Sequence, residues 1–587
     1  MTHGRAPRLD AAARRGALGQ ALAELRTQLE LPDGFAPDVL ADAERSVREY
    51  RAPETDLTGI PFVTIDPPGS LDLDQAFAIE RLDRGRSRVR YAIADVPGFV
   101  VPGSPLDLET RRRGQTLYGV DDRIPLHPTT ISEDAASLLP GLERGAYVWE
   151  FDLDADGAVA ATRLQRARVR SRARLDYATA QAALDSGGEA DDSPLVALAD
   201  VGRARLEQEA RRGGASLNTP EIDVERDGAD DGPGYRLVRR EVLPVEEWNA
   251  QLSLMTGMAA AGVMLAGGIG ILRTMPPASD DAIAAFRRRT VALGRPWPDD
   301  ERYGDYLRRL DRRDPTVLAV LDAATELFRG AGYTVVDGEA PEHPEQSALA
   351  APYAHVTAPL RRLVDRWGLV LCERLLAGGS RTDEEIAWAV RSLGELPPVM
   401  RESSRLGARW NGAGVARVEA AVLADRLGET FRASVVDVEG GRAELQLVDP
   451  AVTARCDADP GWNAGQDVDV VLRAADIASG SVRFDRRGEG FLTPRRVTRT
   501  ARTRRMFRWT RCGSRRCCAR CAPASCSRCS SSPHSRWRSR ARRPSSCSAS
   551  APSRRSTNDS STPSRTSSSS PPATAPTSRS RRAPSSS

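Results

Sequence analysis

The chain is 587 residues long, too long for one core and sufficient for two to four domains. Its formal net charge of +4 conceals two opposite parts: residues 493–587 hold 23 arginines and one acid, Asp559, which leaves 61 arginines against 79 acids, a net −18, in residues 1–492. No lysine occurs anywhere, which excludes a phosphate-binding loop ending in Gly-Lys, a kinase β-strand lysine and a Schiff-base lysine, since each needs that amine.

Residues 8–30 place Leu9, Ala12, Leu18, Leu22, Leu25 and Leu29 near helical spacing, and "DVLADAERSVREY" predicts a second short helix. Together they read as a helical lead-in, residues 1–55, packed on the main domain. The opening "MTHGRAPRLDAAARR" lacks a continuous apolar core and does not read as a signal peptide. From residue 60 strands alternate with helices: "PFVTID", "AFAIE" and "VRYAIADV" predict short strands. "VWEFDLDADGAVAATRLQRARVRS" predicts a hairpin turned at Asp156-Gly157. Asp152, Asp154, Asp156 and Gly157 open like a calcium loop, but Arg163 stands at the twelfth position, where a bidentate glutamate belongs, so the segment is a plain turn. Residues 252–272, "LSLMTGMAAAGVMLAGGIGIL", carry no charge over 21 residues, yet five are Gly and four Ala. That composition, with the Gly267-Gly268 pair as a stop, predicts a buried core helix rather than a membrane span.

Residues 245–266 and 357–377 predict helices. In the second, Thr357 is placed to cap the N-terminus, Pro359 to sit in the first turn, and Leu360, Leu363, Val364 and Trp367 to form the apolar stripe. Residues 386–427 predict further helix, broken at Pro397-Pro398. From 428 the period changes to short strands, predicting a small antiparallel barrel of OB-fold size over 428–486. After about residue 490 Arg, Ser, Pro, Cys and Ala dominate. Cys518/Cys521 and Cys526/Cys529 have zinc-knuckle spacing, but so few aliphatic residues surround them that a disordered basic tail over 487–587 is the expectation. Only Cys372 and Cys456 lie in the body, so no disulfide framework is read there and a reducing cytoplasm fits.

"TIDPPGSLDLDQAFAIE", residues 64–80, is the stretch richest in chemistry. "VTID" reads as extended, "PPGS" as a turn, and "LDLDQAFAIE" as extended again, so Asp72 and Asp74 would share a strand face and the turn could bring Asp66 back toward it. Three carboxylates without a basic neighbour repel one another unless a cation sits between them. Such oxygen-rich sites suit Mg²⁺ or Mn²⁺, although acids beside Pro and Gly are usually solvated turns, and the motif taken alone favours that reading.

The rest of the chain decides between these. "TIDPPGSLDLDQA", "YAIADVPGFV", "RRRGQTLYGVDDRIPLHPTTISEDAASLLPGLERGA", "RGGASLNTPE", "VEEWN" and "YAHVTAPLRRLVDR" follow in order over residues 64–366. Together they resemble the catalytic domain of the ribonuclease II family, the RNB domain, and the barrel at 428–486 resembles the OB-fold RNA-binding module with which that family often ends. The resemblance implies an α+β catalytic domain over 56–427, a mixed sheet with helices. It further implies a metal-dependent enzyme, using Mg²⁺ or Mn²⁺, that hydrolyses single-stranded RNA from the 3′ end to nucleoside 5′-monophosphates. Asp66, Asp72 and Asp74 match three of the four family aspartates that hold metal, and Asp74 matches the one tied most closely to the chemical step. Gln75 stands at the fourth position, a departure. Arg361 matches the catalytic arginine, with Arg362 beside it as a phosphate or structural contact. Tyr118 and Tyr177 match aromatics placed against RNA, a sequence-tolerant stacking role, and Glu402 matches an acid used in recognising ribose. Glu246-Glu247 matches a family motif without indicating which side chain faces RNA, and His127 and His355 read as structural. The expected protein is a cytoplasmic monomer acting on single-stranded RNA, with no membrane association. Gln75 leaves open an RNA-binding protein on a catalytically impaired scaffold.

Overall fold

Alternating apolar side chains from residue 62 onward build the first sheet. In the computed structural model, which describes residues 16–217, 221–225, 236–312, 314–447 and 449–487, strands β1 (Phe62–Asp66), β2 (Gln75–Arg81), β3 (Ser87–Ala94), β4 (Glu143–Leu153) and β5 (Val159–Asp176) close into a barrel in that order. Strand β1 runs antiparallel to β2 and parallel to β5, which sets Asp66 opposite Asp176. Residues two apart share a face. Val89, Tyr91 and Ile93 of β3 therefore join Tyr147, Trp149 and Phe151 of β4 in one buried cluster, while Ala92, Ala94, Ala146 and Val148 belong to another. Both faces are covered. Helices Pro194–Arg212 and Pro244–Ala266 pack into the first cluster, and helix Pro37–Glu49 into the second through Val39 and Ala43. Each fully buried aromatic stabilises this arrangement by about 1.5–3 kcal/mol.

The β4–β5 hairpin turns where expected. Asp154 Oδ1 accepts the N–H groups of Asp156 and Ala158, and Gly157 takes the positive φ of 77° that the turn requires. Arg163 pairs with Glu150 and Asp152 on the neighbouring strand. The apolar run at 252–272 is the core helix Pro244–Ala266 followed by strand Ile269–Thr274, with Leu252, Met255, Ala260, Ala261 and Met264 buried. Among the described residues no helix is long and apolar enough to cross a membrane.

Two helix boundaries depart from expectation. The helix predicted over 357–377 spans Leu363–Leu376, and residues 357–362 form a loop. Carboxylates take the N–H groups that would have begun the helix: Asp365 accepts from Ala358 and Asp74 from Leu360. Pro397-Pro398 does not break a helix but starts one, Leu396–Leu423, where a missing N–H leaves no bond unmade.

The second, nearly closed barrel-like sheet comprises Thr430–Glu439, Arg442–Leu447, Thr453–Asp457, Asp467–Asp476 and Ser481–Arg486, all antiparallel, around Phe431, Val435, Leu445, Val470, Leu472 and Phe484. Leu18 and Leu22 of the N-terminal helix Ala17–Gln28 bury in the same cluster as Val418 and Leu423 of the long helix, and Leu25 packs with Leu117 and Trp410. A group of helices at Asp280–Ala292, Tyr303–Arg308 and Pro315–Ala324 closes around Phe286, Trp297 and Tyr306. The cysteine pairs and the arginine-rich tail lie outside the described residues.

Candidate active site

Asp66 ends β1, and residues 71–74, which carry Asp72 and Asp74, are not the strand that alternation suggests. The turn closes through Ser70, whose N–H and hydroxyl both donate to Pro67 O, at 3.2 and 2.9 Å. Residues 71–74 then run as coil, because Ser137 Oγ accepts from Leu73 N–H (3.0 Å) and donates to Leu71 O (2.6 Å). Strand β2 begins only at Gln75. Asp72 and Asp74 consequently have different partners rather than one shared face. Asp72 Oδ2 accepts from Arg123 Nη1 at 2.7 Å, and the same guanidinium also pairs with Glu133. Asp74 is buried, accepts from Leu360 N–H at 2.8 Å, and lies 3.6 Å from Arg361 Nε.

The loop bearing Arg361 is held at nearly every residue. His127 Nδ1 hydrogen-bonds Leu360 O (3.1 Å), Thr116 N–H donates to Arg361 O (2.9 Å), and Leu363 N–H donates to Gly114 O (3.0 Å). Upstream, Ala354 N–H donates to Gly257 O (3.0 Å), an approach so close that a Cβ at Gly257 would lie 2.1 Å from the Tyr353 ring. Arg361 keeps a side chain about one-quarter exposed beside Asp74. Arg362 is different: its Nε and Nη2 each bond the buried Asp365 at 2.8 Å in a two-pronged fork. Burial opposes its charge, but Asp365 more than offsets this and holds its pKa above the ordinary value. The fork that would grip a phosphate is thus engaged within the protein.

Burial and like charge shape the carboxylates. Asp66 is pushed up to about 8, by burial first and by Asp72 second, against the opposing pull of Arg361 and Arg174. Burial likewise raises Asp74 well above the carboxylate range, opposed by Arg361 and the Leu360 amide. Asp66 Oδ2 is sealed from solvent and has no hydrogen-bond partner. Among the described residues no three His, Cys, Asp or Glu side chains gather at metal-ligating distance, so the expected three-carboxylate cage is not closed: Asp72 turns to Arg123 and Asp74 to the arginine loop. Asp66 still offers what a hard cation would satisfy, an unpartnered buried carboxylate oxygen in the field of Asp72.

Tyr118 and Tyr177 both lie within the electrostatic reach of Arg361 and of acids in this cluster. Tyr118 is pushed up to about 12 by burial, within the fields of Arg361, Asp72 and Asp74. Tyr177 is raised by burial and by Asp66, and accepts from Asn249 Nδ2 at 3.1 Å. Glu402 is exposed on the long helix, one residue before Ser403, which abuts Gly114. In the Glu246-Glu247 pair, Glu246 is a buried cap: its Oε1 accepts from Leu243 N–H (3.1 Å) and Arg240 Nη1 (2.6 Å). His127, lowered to about 4 by burial, bonds Leu360 O, and His355 bonds Tyr333 Oη at 2.8 Å. Sequence reasoning passed over Arg123, the single arginine of "YGVDDRIPLHPTTISEDAA", which that isolation among acids could have flagged.

The RNB domain model matches residues 54–377. The chain belongs to the RNB family. An RNase II-type exonuclease C-terminal S1 domain matches residues 429–487, the second barrel. Exosome complex exonuclease RRP44 homolog A of Arabidopsis thaliana is 29% identical over 334 residues, 55% of this chain and 35% of that protein. Exoribonuclease 2 of Cronobacter sakazakii is 26% identical over 451 residues, 74% of this chain and 66% of that one. The chain therefore spans about a third of the length of the first of these relatives. The solved apo form of Mycoplasma genitalium RNase R superposes with a TM-score of 0.70 at 18% identity, covering 80% of this chain and 78% of its own. RNB nucleases are generally dependent on a divalent metal, and the resemblance read from the ordered motifs holds at the level of family and fold.

Proposed function

We propose that this RNB-family protein is a metal-dependent 3′→5′ exoribonuclease that shortens single-stranded RNA to nucleoside 5′-monophosphates. The observation that carries the reading is Asp66 with its unpartnered, buried Oδ2, in the field of Asp72 and of the partly exposed Arg361, which itself lies 3.6 Å from Asp74. Asp66, Asp72 and Asp74 would hold Mg²⁺ or Mn²⁺, which supplies Lewis-acid polarisation of a phosphoryl oxygen and a water acidified for attack. Arg361 offers a guanidinium to the non-bridging oxygens of the scissile phosphate, and its donors meet the charge that grows there in the transition state. Asp74 is buried 3.6 Å from that guanidinium, which ties the would-be metal ligand to the arginine offered to the phosphate. Tyr118 and Tyr177 would stack on bases, Glu402 would receive a ribose hydroxyl, and Arg362 would hold the loop rather than a phosphate. The S1 barrel would extend the grip on RNA. We place the enzyme in the cytoplasm, acting as a monomer.

Incubation with 5′-labelled single-stranded RNA and Mg²⁺ or Mn²⁺ tests this directly. Progressively shortened labelled products are expected, with chelator abolishing them, and RNA that stays full length overturns the reading. Gln75, which brings no charge where the family resemblance places a fourth aspartate, motivates one rival, an RNA-binding protein on an impaired nuclease scaffold. Tight RNA binding without metal-dependent turnover would establish that rival.

A further inference from the structure

Gln75 occupies the position where the resemblance places a fourth aspartate, but its carboxamide points into a hydrogen-bonded knot. Gln75 Nε2 donates to Thr357 O at 2.6 Å, across 282 residues of chain. Gln75 Oε1 accepts from Tyr91 Oη at 2.6 Å and from Ser253 Oγ at 3.3 Å, and those hydroxyls lie 2.8 Å apart. The two ends of the amide cannot be exchanged, because a backbone carbonyl has no proton to give and can be met only by the NH₂ group. The neighbouring Asp74 accepts from Leu360 N–H at 2.8 Å. Two consecutive residues thus hold both ends of the short turn that presents Arg361, one by accepting and one by donating.

We propose that Gln75 is a positioning residue for Arg361, fastening the arginine's loop to the barrel through a donor that no carboxylate possesses. The inference rests on the nuclease reading and deepens it. An aspartate or glutamate at 75 would set a carboxylate against Thr357 O, acceptor against acceptor, in a site already crowded by Asp66, Asp72 and Asp74. Restoring the family's acidic residue would therefore loosen the loop instead of completing a metal site. Gln75 and the clamped loop form a matched pair, so the departure at position 75 is compatible with turnover.

The test compares full-length wild type with Gln75→Asp, Gln75→Glu, Arg361→Ala and the double variant Gln75→Glu/Arg361→Ala on 5′-labelled single-stranded RNA with Mg²⁺. Gln75→Glu is nearly isosteric and keeps both hydroxyl contacts, so it removes chiefly the donor. Both Gln75 variants should lower kcat by about 10- to 100-fold, with the RNA Kd changed by less than about twofold. If Gln75 acts through Arg361, the double variant should be no slower than Arg361→Ala alone, whereas a general structural lesion would multiply the losses. Amide hydrogen exchange over residues 354–363 should quicken in Gln75→Glu while the rest of the barrel keeps its protection. Should Gln75→Glu fail to fold, Gln75→Met removes the donor without adding charge and leaves Tyr91 and Ser253 bonded to each other; the same slow turnover and the same local exchange are expected. Turnover at or above the wild-type rate in Gln75→Asp, additive losses in the double variant, or unchanged exchange at 354–363 would each overturn the proposal. RNA left intact by wild type would remove the nuclease reading instead, and the exchange measurement alone would then decide the clamp.

Discussion

Asp66→Asn should make the metal-free protein more stable at neutral and alkaline pH and leave it nearly unchanged in acid. The carboxyl of Asp66 is displaced from 3.8 to about 8, chiefly by burial and then by Asp72. An acid whose folded value is raised contributes its full stability below the unfolded value and loses it as pH rises through the folded one. At pH 7 the interval from 3.8 is about three pH units at about 1.4 kcal/mol each, so ionisable Asp66 costs up to about 4 kcal/mol. Asp66 is only partly buried as a residue although its Oδ2 is sealed, and solvent screening of the rest lowers the expected figure to about 2 kcal/mol. Asparagine has the same shape and no charge. Urea unfolding in EDTA, followed by intrinsic tryptophan fluorescence, should show a higher midpoint for the variant at pH 8 and coincident midpoints near pH 4. Added Mg²⁺ should stabilise wild type more than the variant, since a ligand that binds the native state raises its stability by mass action. A variant less stable than wild type at pH 8 in EDTA, or a gap of equal size at pH 4, would refute the reasoning.

Asp74→Asn should cut turnover by several orders of magnitude while RNA binding persists, because the asparagine oxygen can still accept from Leu360 N–H and the loop stays in place; filter binding alongside single-turnover cleavage checks this. Arg361→Ala and Arg362→Ala should separate function from stability. The first should lower kcat with little change in melting temperature. The second should cost about 3–5 kcal/mol in chemical denaturation, since it strands the buried Asp365. Truncation after residue 490 should leave the cleavage rate on a short oligomer unchanged at moderate salt. It should also weaken low-salt binding to long RNA, measured as a shallower salt dependence, because it deletes 23 arginines and a single acid.

Chemistry that depends on residue type and short spacing was legible without coordinates. The hairpin at Asp156-Gly157, the core helix under the apolar run and the C-terminal strands follow from local composition and period, whereas the parts assigned to the carboxylates of 64–80 and to Arg361 in "TAPLRRL" came from the resemblance of the ordered motifs to the family. Tertiary structure alone decided what each site residue does with its hydrogen bonds. Ser137 turned an expected strand at 71–74 into coil, Asp74 and Asp365 delayed a helix to Leu363, and Arg123 drew Asp72 out of the expected cage. Gln75 found its partner at Thr357. The physical reason is common to all of them. Local propensity differs by less than about 1 kcal/mol per residue, whereas leaving a buried donor or carboxylate unpaired costs about 1–3 kcal/mol or more. Partners far apart in the chain therefore overrule the local pattern wherever polar groups are buried, and in this protein that is the site itself.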